Sequence, residues 1–153
     1  MFAVQPVDAD AASSVTLSPF SPPTPSAAGE RILWGRLYGA ASSLATSEAA
    51  QAHPGLTLAI VDDVQSAARL ESELHFFLKG SGLEVLSFPD WETLPYDVFS
   101  PLPELISQRL LTLHRLTDLA RGVLVVPVAT LLQRLPPRDY LEAHTKNNKK
   151  KKM

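Results

Sequence analysis

Apolar residues fall into two spacings along this chain. Leu56 to Val61 is a short, nearly continuous apolar run, the pattern of a strand covered on both faces. Leu83 to Phe88 and Val123 to Val126 read as a second and a third strand. Between them the period changes. Val64, Ala67, Ala68, Leu74, Phe77 and Leu78 recur at three- and four-residue steps and predict a helix, capped by Asp62 or Asp63 and stopped by Gly80 and Gly82. Pro103 suits the first turn of another helix, with Ile106, Leu110, Leu113 and Ala120 as its inward stripe and Gly122 as its end. A last short helix is expected over Ala129 to Leu135, before Pro136-Pro137. Upstream, Glu30 to His53 reads as largely helical. Leu33, Leu37, Ala40, Ala41 and Leu44 lie roughly on one face, Gly35 and Gly39 weaken the middle, and His53-Pro54-Gly55 ends it.

Strand, helix, strand, helix, strand at these lengths predicts two right-handed crossovers. The expected fold is therefore α/β: three layers, with a mainly parallel sheet and helices on both faces. The pattern leaves strand order open. Three regions are expected: a proline-rich, disordered arm over residues 1–28, an α/β subdomain over residues 29–145, and a lysine-rich tail over residues 146–153.

Composition narrows the chemistry. The chain has no cysteine, which excludes thiolate metal sites, disulfides and cysteine nucleophiles and fits a reducing cytoplasm. No run approaches the ~20 apolar residues that span a bilayer. The net charge of −2 conceals an asymmetry. Five of the 14 basic residues (Lys146, Lys149, Lys150, Lys151, Lys152) lie in the tail, which leaves nine against 16 acidic residues in the body. An acidic body is poorly matched to a phosphate backbone. Lys79 is the body's single lysine, so the abrupt turn to lysine and asparagine reads as a truncation or frameshift product.

Parallel α/β folds often bind nucleotides, yet the candidate phosphate loop around Gly39 is degenerate. Leu37-Tyr38-Gly39-Ala40-Ala41-Ser42-Ser43 carries no lysine to reach a phosphate, and Lys79 ends a different helix. No cofactor is expected; a degenerate helicase-like domain with weak ATP affinity stays open as an alternative. Asp62-Asp63 and Asp90, after successive strands, resemble the acid cluster of a phosphorylation receiver, but Val123 to Thr130 lacks the lysine such a site needs. Helix capping accounts for the Asp62-Asp63 pair. His53, His75, His114 and His144 show no metal-binding spacing, and Ser42, Ser43 and Ser107 lie in no nucleophile elbow. Catalytic and metal sites are accordingly expected to be absent.

The informative stretch is Asp90-Trp91-Glu92-Thr93-Leu94-Pro95-Tyr96-Asp97-Val98-Phe99-Ser100-Pro101. It follows a strand's carboxyl end, where parallel sheets present functional loops. Three aromatics and two prolines suit a stiff loop that folds onto the sheet edge or a neighbouring domain; equally, Trp91, Tyr96 and Phe99 could simply cover the core's end. Together with Ser107-Gln108-Arg109-Leu110, Gly122 to Val128, Thr130-Leu131-Leu132-Gln133-Arg134 and Pro136, this stretch resembles the N-terminal region of bacterial transcription-repair coupling factors. The resemblance runs from about Glu30 to His144.

That resemblance implies a parent protein that is an ATP-dependent DNA translocase, displacing stalled RNA polymerase and recruiting UvrA for nucleotide-excision repair. Its N-terminal module is similar to part of UvrB but without the ATP site, which agrees with the missing lysine near Gly39. Contacts with UvrA, RNA polymerase and DNA are implied for segments outside this chain, and no membrane partner is implied. What remains for the chain is a non-catalytic structural and docking role toward neighbouring subdomains. Its contact is expected through Asp90, Trp91, Glu92, Thr93, Leu94, Pro95, Tyr96, Asp97, Phe99, Ser100 and Pro101, with Arg109 on the next helix. A subdomain with uncovered surface is also expected to be marginally stable or to self-associate.

Overall fold

The computed structural model describes residues 18–91 and 102–137. The first 17 residues of the arm and the whole lysine-rich tail lie outside the described residues. Among the described residues, seven elements follow in chain order: α1 (Ala41–Ala52), β1 (Leu56–Val61), α2 (Val64–Phe77), β2 (Glu84–Ser87), α3 (Pro103–Asp118), β3 (Gly122–Pro127) and α4 (Val128–Leu131). The three strands form one parallel sheet in the order β1-β3-β2. The expected α/β class with a parallel sheet and flanking helices is what the chain adopts.

The boundaries of β1 coincide with its apolar run. Asp63 opens α2 as its N-cap, its side chain accepting from the Ser66 amide at 2.7 Å. Gly80 and Gly82 both carry positive φ past the end of α2, a conformation that favours glycine. Gly122 is required for a different reason. A Cβ there would stand 2.6 Å from the backbone oxygen of Glu84 on β2, so only glycine lets β3 pass β2 at this register.

Side chains of the sheet alternate between two faces. Val123 and Val125 of β3, with Ala59, Val61 and Val85, face α2 and pack with Ala67, Leu74 and Leu78 into the core. Leu74, Val123 and Val125 are fully buried, each contributing about 1.5–3 kcal/mol. α1 packs on α2 and adds Ala50. Leu124 and Val126 point the other way, toward Leu113 and Leu116 of α3 across a cavity of about 180 Å³.

Three expectations need correction. Residues 30–40 are not helical: Arg36 and Gly39 adopt positive φ, α1 begins only at Ala41, and Leu33 is 91% exposed. The inward face of α1 is made of Ser43, Ala45, Ser47 and Ala50, small residues that allow close approach to α2. β1 is covered on one face only, with Leu58 and Ile60 about half exposed on the other. The buried residues of α3 are Arg109 and Thr112, one step round from the predicted stripe, while Ile106 is exposed and Leu110 and Leu113 are half-buried.

Candidate contact site at the carboxyl end of the sheet

β2 ends at Ser87, and the chain then crosses the carboxyl edge of the sheet as Phe88-Pro89-Asp90-Trp91. The Phe88 amide donates to Val125 of β3 at 3.0 Å, extending the ladder one residue beyond β2. From α3, Thr112 donates its hydroxyl to the Ser87 carbonyl at 3.0 Å. Arg109, one turn earlier, reaches over the same crossing. Its guanidinium carbon lies 4.2 Å from the Phe88 ring centroid and 4.3 Å from that of Trp91. One of its terminal nitrogens donates to the Pro89 carbonyl.

Arg109 is buried, with 3% of its surface exposed. Desolvation disfavours its charge and pushes the guanidinium's pKa down, while the Asp90 carboxylate pulls the other way. Burying a cation costs several kcal/mol unless it is compensated. Here the compensation comes from two aromatic faces, one carbonyl and one nearby carboxylate. Asp90 is itself held: it accepts from the Trp91 amide at 2.8 Å and from the Gln133 side-chain amide beyond α4. The arrangement ties the start of the loop after β2 to α3 and to the segment after β3.

Beside this staple opens a cavity of about 400 Å³, lined by Trp91, Ile106, Leu110, Leu113, Arg134 and Leu135. Ile106, Leu110 and Leu113, predicted to face inward from α3, line this cavity instead, while Ala120, the fourth member of the predicted stripe, lies exposed beyond the end of α3. Of the residues predicted for the contact, Asp90, Trp91 and Arg109 come together here. Glu92, Thr93, Leu94, Pro95, Tyr96, Asp97, Phe99, Ser100 and Pro101 lie outside the described residues. Phe88, Thr112 and Gln133 are participants that sequence reasoning missed. Leu105, Arg109, Thr112 and Leu116 share one helical face, so the spacing was present, but two of its four members are polar.

The alternative chemistries find little footing. The Gly39 stretch precedes α1 and follows no strand among the described residues, so it lacks the strand–loop–helix setting of a phosphate cradle. Asp62 and Asp90 follow β1 and β2, which β3 separates, putting their strands about 9–10 Å apart. A receiver's acid cluster is not assembled: Asp63 caps α2 and Asp90 is engaged with Gln133. Among the described residues, no group of three or more His, Cys, Asp or Glu side chains could hold a metal ion, and no helix is long and apolar enough to cross a membrane.

Fold and site together define a small parallel α/β domain in which Arg109, Asp90 and Gln133 fasten the start of the loop after β2 at the sheet's carboxyl edge. The chain is homologous to a segment of transcription-repair-coupling factors. It is 46% identical over 120 residues to the transcription-repair-coupling factor of Escherichia coli, an alignment covering 78% of this chain and 10% of that protein. The Haemophilus influenzae protein of the same name is 40% identical over 123 residues, covering 80% and 10%. That of Rickettsia typhi is 34% identical over 85 residues, covering 55% and 7%. The chain thus spans about a tenth of the length of the first two curated relatives. No protein-family model matches it.

Proposed function

We propose that this chain serves as a non-catalytic structural and docking element of a transcription-repair coupling factor in the bacterial cytoplasm. The parent protein would displace stalled RNA polymerase and recruit UvrA through its other segments, and the motor would lie there too. This chain would seat its neighbours through the loop that begins at Asp90 and Trp91, held in place by Arg109. The observation that carries the reading is the staple. A buried arginine packed against two rings and bonded to the loop's own backbone stiffens a docking surface before any partner arrives. Preorganisation of that kind lowers the ordering cost of association.

The absence of a lysine near Gly39 favours docking over nucleotide chemistry. Two measurements test the reading. Titration of fluorescently labelled ATP with magnesium should show no saturable binding, and micromolar affinity would overturn it in favour of a degenerate nucleotide site. In the second, the chain is mixed with a transcription-repair coupling factor from which the homologous segment has been deleted. Co-elution is expected, and it should be lost with Trp91→Ala; failure of the unmodified chain to co-elute would reject the docking role.

A further inference from the structure

Three arginines of the folded body are matched by nearby oxygens. Arg69 pairs with Glu73 at 2.9 Å and Arg115 with Glu84 at 2.8 Å, while Arg121 donates to the Gln51 carbonyl at 2.9 Å. Arg109 and Arg134 differ, and both line the cavity of about 400 Å³ beside Trp91. A guanidinium presents five N–H donors. Among the described residues, the one oxygen that Arg109 reaches is the Pro89 carbonyl. The side-chain atoms sealed from solvent without a partner belong to Thr130 and Gln133, so the other nitrogens of Arg109, though the residue is 3% exposed, keep access to the cavity it lines. Arg134 is exposed and forms no salt bridge among the described residues. Against these two cations stands one carboxylate, that of Asp90, which already accepts from the Trp91 amide and the Gln133 side chain. One positive charge is left over.

We propose that this cavity binds a carboxylate carried on a compact apolar group, with the carboxylate between Arg109 and Arg134 and the apolar part against Trp91, Leu110 and Leu135. A carboxylate is flat and matches the fork of a guanidinium. Its single charge equals the surplus left by Asp90. A phosphate monoester brings about −1.5 to −2 charges and more oxygens than these donors can satisfy. An uncharged ring would fit the apolar walls but leave the spare donors of Arg109 without an acceptor. The walls also favour the pairing, because charges attract more strongly beside apolar side chains than in water. The volume lies within the ~300–1,000 Å³ of small-molecule sites, enough for one ring and its carboxylate. This site stands apart from the docking role, and its chemistry serves a free organic acid or an acidic side chain of a neighbouring segment equally.

Benzoate is a suitable probe and benzamide its neutral counterpart. The chain has two tryptophans, so its nitrogen-15 NMR spectrum carries two indole N–H signals, and Trp34→Phe identifies that of Trp91. Benzoate should shift the Trp91 signal saturably in the millimolar range while benzamide leaves it in place. Arg134→Gln removes one cation from an exposed position, so circular dichroism should be unchanged while benzoate binds about threefold more weakly. Added salt should weaken binding to the unmodified chain more than to that variant. A Trp91 signal indifferent to benzoate, an equal response to benzamide, or Arg134→Gln binding as tightly as the parent would each sink the assignment. Competition then identifies the source. If a neighbour's acidic side chain occupies the site, benzoate should reduce co-elution with the deleted coupling factor. Benzoate that binds without disturbing co-elution assigns the site to a free organic acid. Loss of the docking role would show as absent co-elution alone, with the benzoate shift retained.

Discussion

Arg109 holds Trp91 against the sheet: the guanidinium carbon stands 4.3 Å from the indole centroid, and the same side chain donates to the carbonyl two residues before it, that of Pro89. Stacking and hydrogen bonding therefore act on one crossing and should not be additive. In a double-mutant cycle, Arg109→Ala should cost about 2–4 kcal/mol, because it removes packing from a buried site and leaves a carbonyl without its donor. Trp91 is half-buried, so Trp91→Ala should cost about 1–2 kcal/mol rather than the ~3–5 kcal/mol of a fully buried ring. The coupling between the two should be about 0.5–2 kcal/mol by urea unfolding. Strict additivity would mean that the ring and the cation do not support each other.

Arg109→Lys separates charge from shape. Lysine keeps the positive charge but has neither a flat face for Phe88 and Trp91 nor the rigid fork of donors. A loss of about 1–2 kcal/mol is expected, read as a lower urea midpoint at unchanged slope. A variant as stable as the parent would show that charge alone, balanced by Asp90, holds the loop.

Gly122→Ala should be more damaging than an alanine at any exposed position. The added methyl would meet the Glu84 carbonyl at 2.6 Å and a Leu119 methyl at 3.0 Å, and the carbonyl belongs to a paired strand that cannot swing aside. Overpacking of this kind costs about 1–3 kcal/mol. Thermal unfolding followed by circular dichroism should show the loss, and a melting temperature within error of the parent would contradict the close approach.

Local features of this fold were legible in the residues themselves. Pro54-Gly55 and Asp63 bracket β1, and the Asp63 cap needs only a residue three positions on, so both ends of that strand could be placed from neighbours alone. The phase of α3 was not legible. Its apolar stripe Ile106-Leu110-Leu113 looks like the inward face, yet Arg109 and Thr112 are buried because Phe88, Pro89 and Ser87 offer them partners from far along the chain. Strand order has the same cause. β3 lies between β1 and β2 through pairings that no sequence window contains. The cluster around Arg109 was half visible: Asp90 and Trp91 stood out in the sequence, Arg109 entered through the family resemblance, and Gln133 joins them only through folding.

Asp63→Ala removes a helix cap whose partner is the Ser66 amide. Loss of such a cap costs about 1 kcal/mol. Hydrogen exchange should rise selectively in the first turn of α2, where the orphaned amide would open more often. Uniform acceleration across the chain would indicate a global defect in place of a local one.

Stability should also depend on pH through the contact between α1 and α2. Ser43, buried on α1, donates its hydroxyl to Glu73 on α2, and Arg69 donates to the same carboxylate at 2.9 Å. The Ser43 hydroxyl is the larger cause, with Arg69 second, and together they hold the Glu73 pKa below its ordinary value. A carboxylate whose pKa is lower folded than unfolded binds more protons when unfolded. Its stabilising contribution is therefore complete above the ordinary glutamate value of about 4.3 and is lost as pH falls through the depressed folded value. Glu73→Gln keeps the size and an acceptor but cannot titrate, so its melting temperature should fall less steeply than the parent's between neutral pH and pH ~3. Ser43→Ala should likewise flatten the profile, by raising the folded pKa toward the unfolded one. If all three proteins lose stability in parallel on acidification, the pH dependence comes from other carboxylates and the Ser43–Glu73 contact contributes nothing to it.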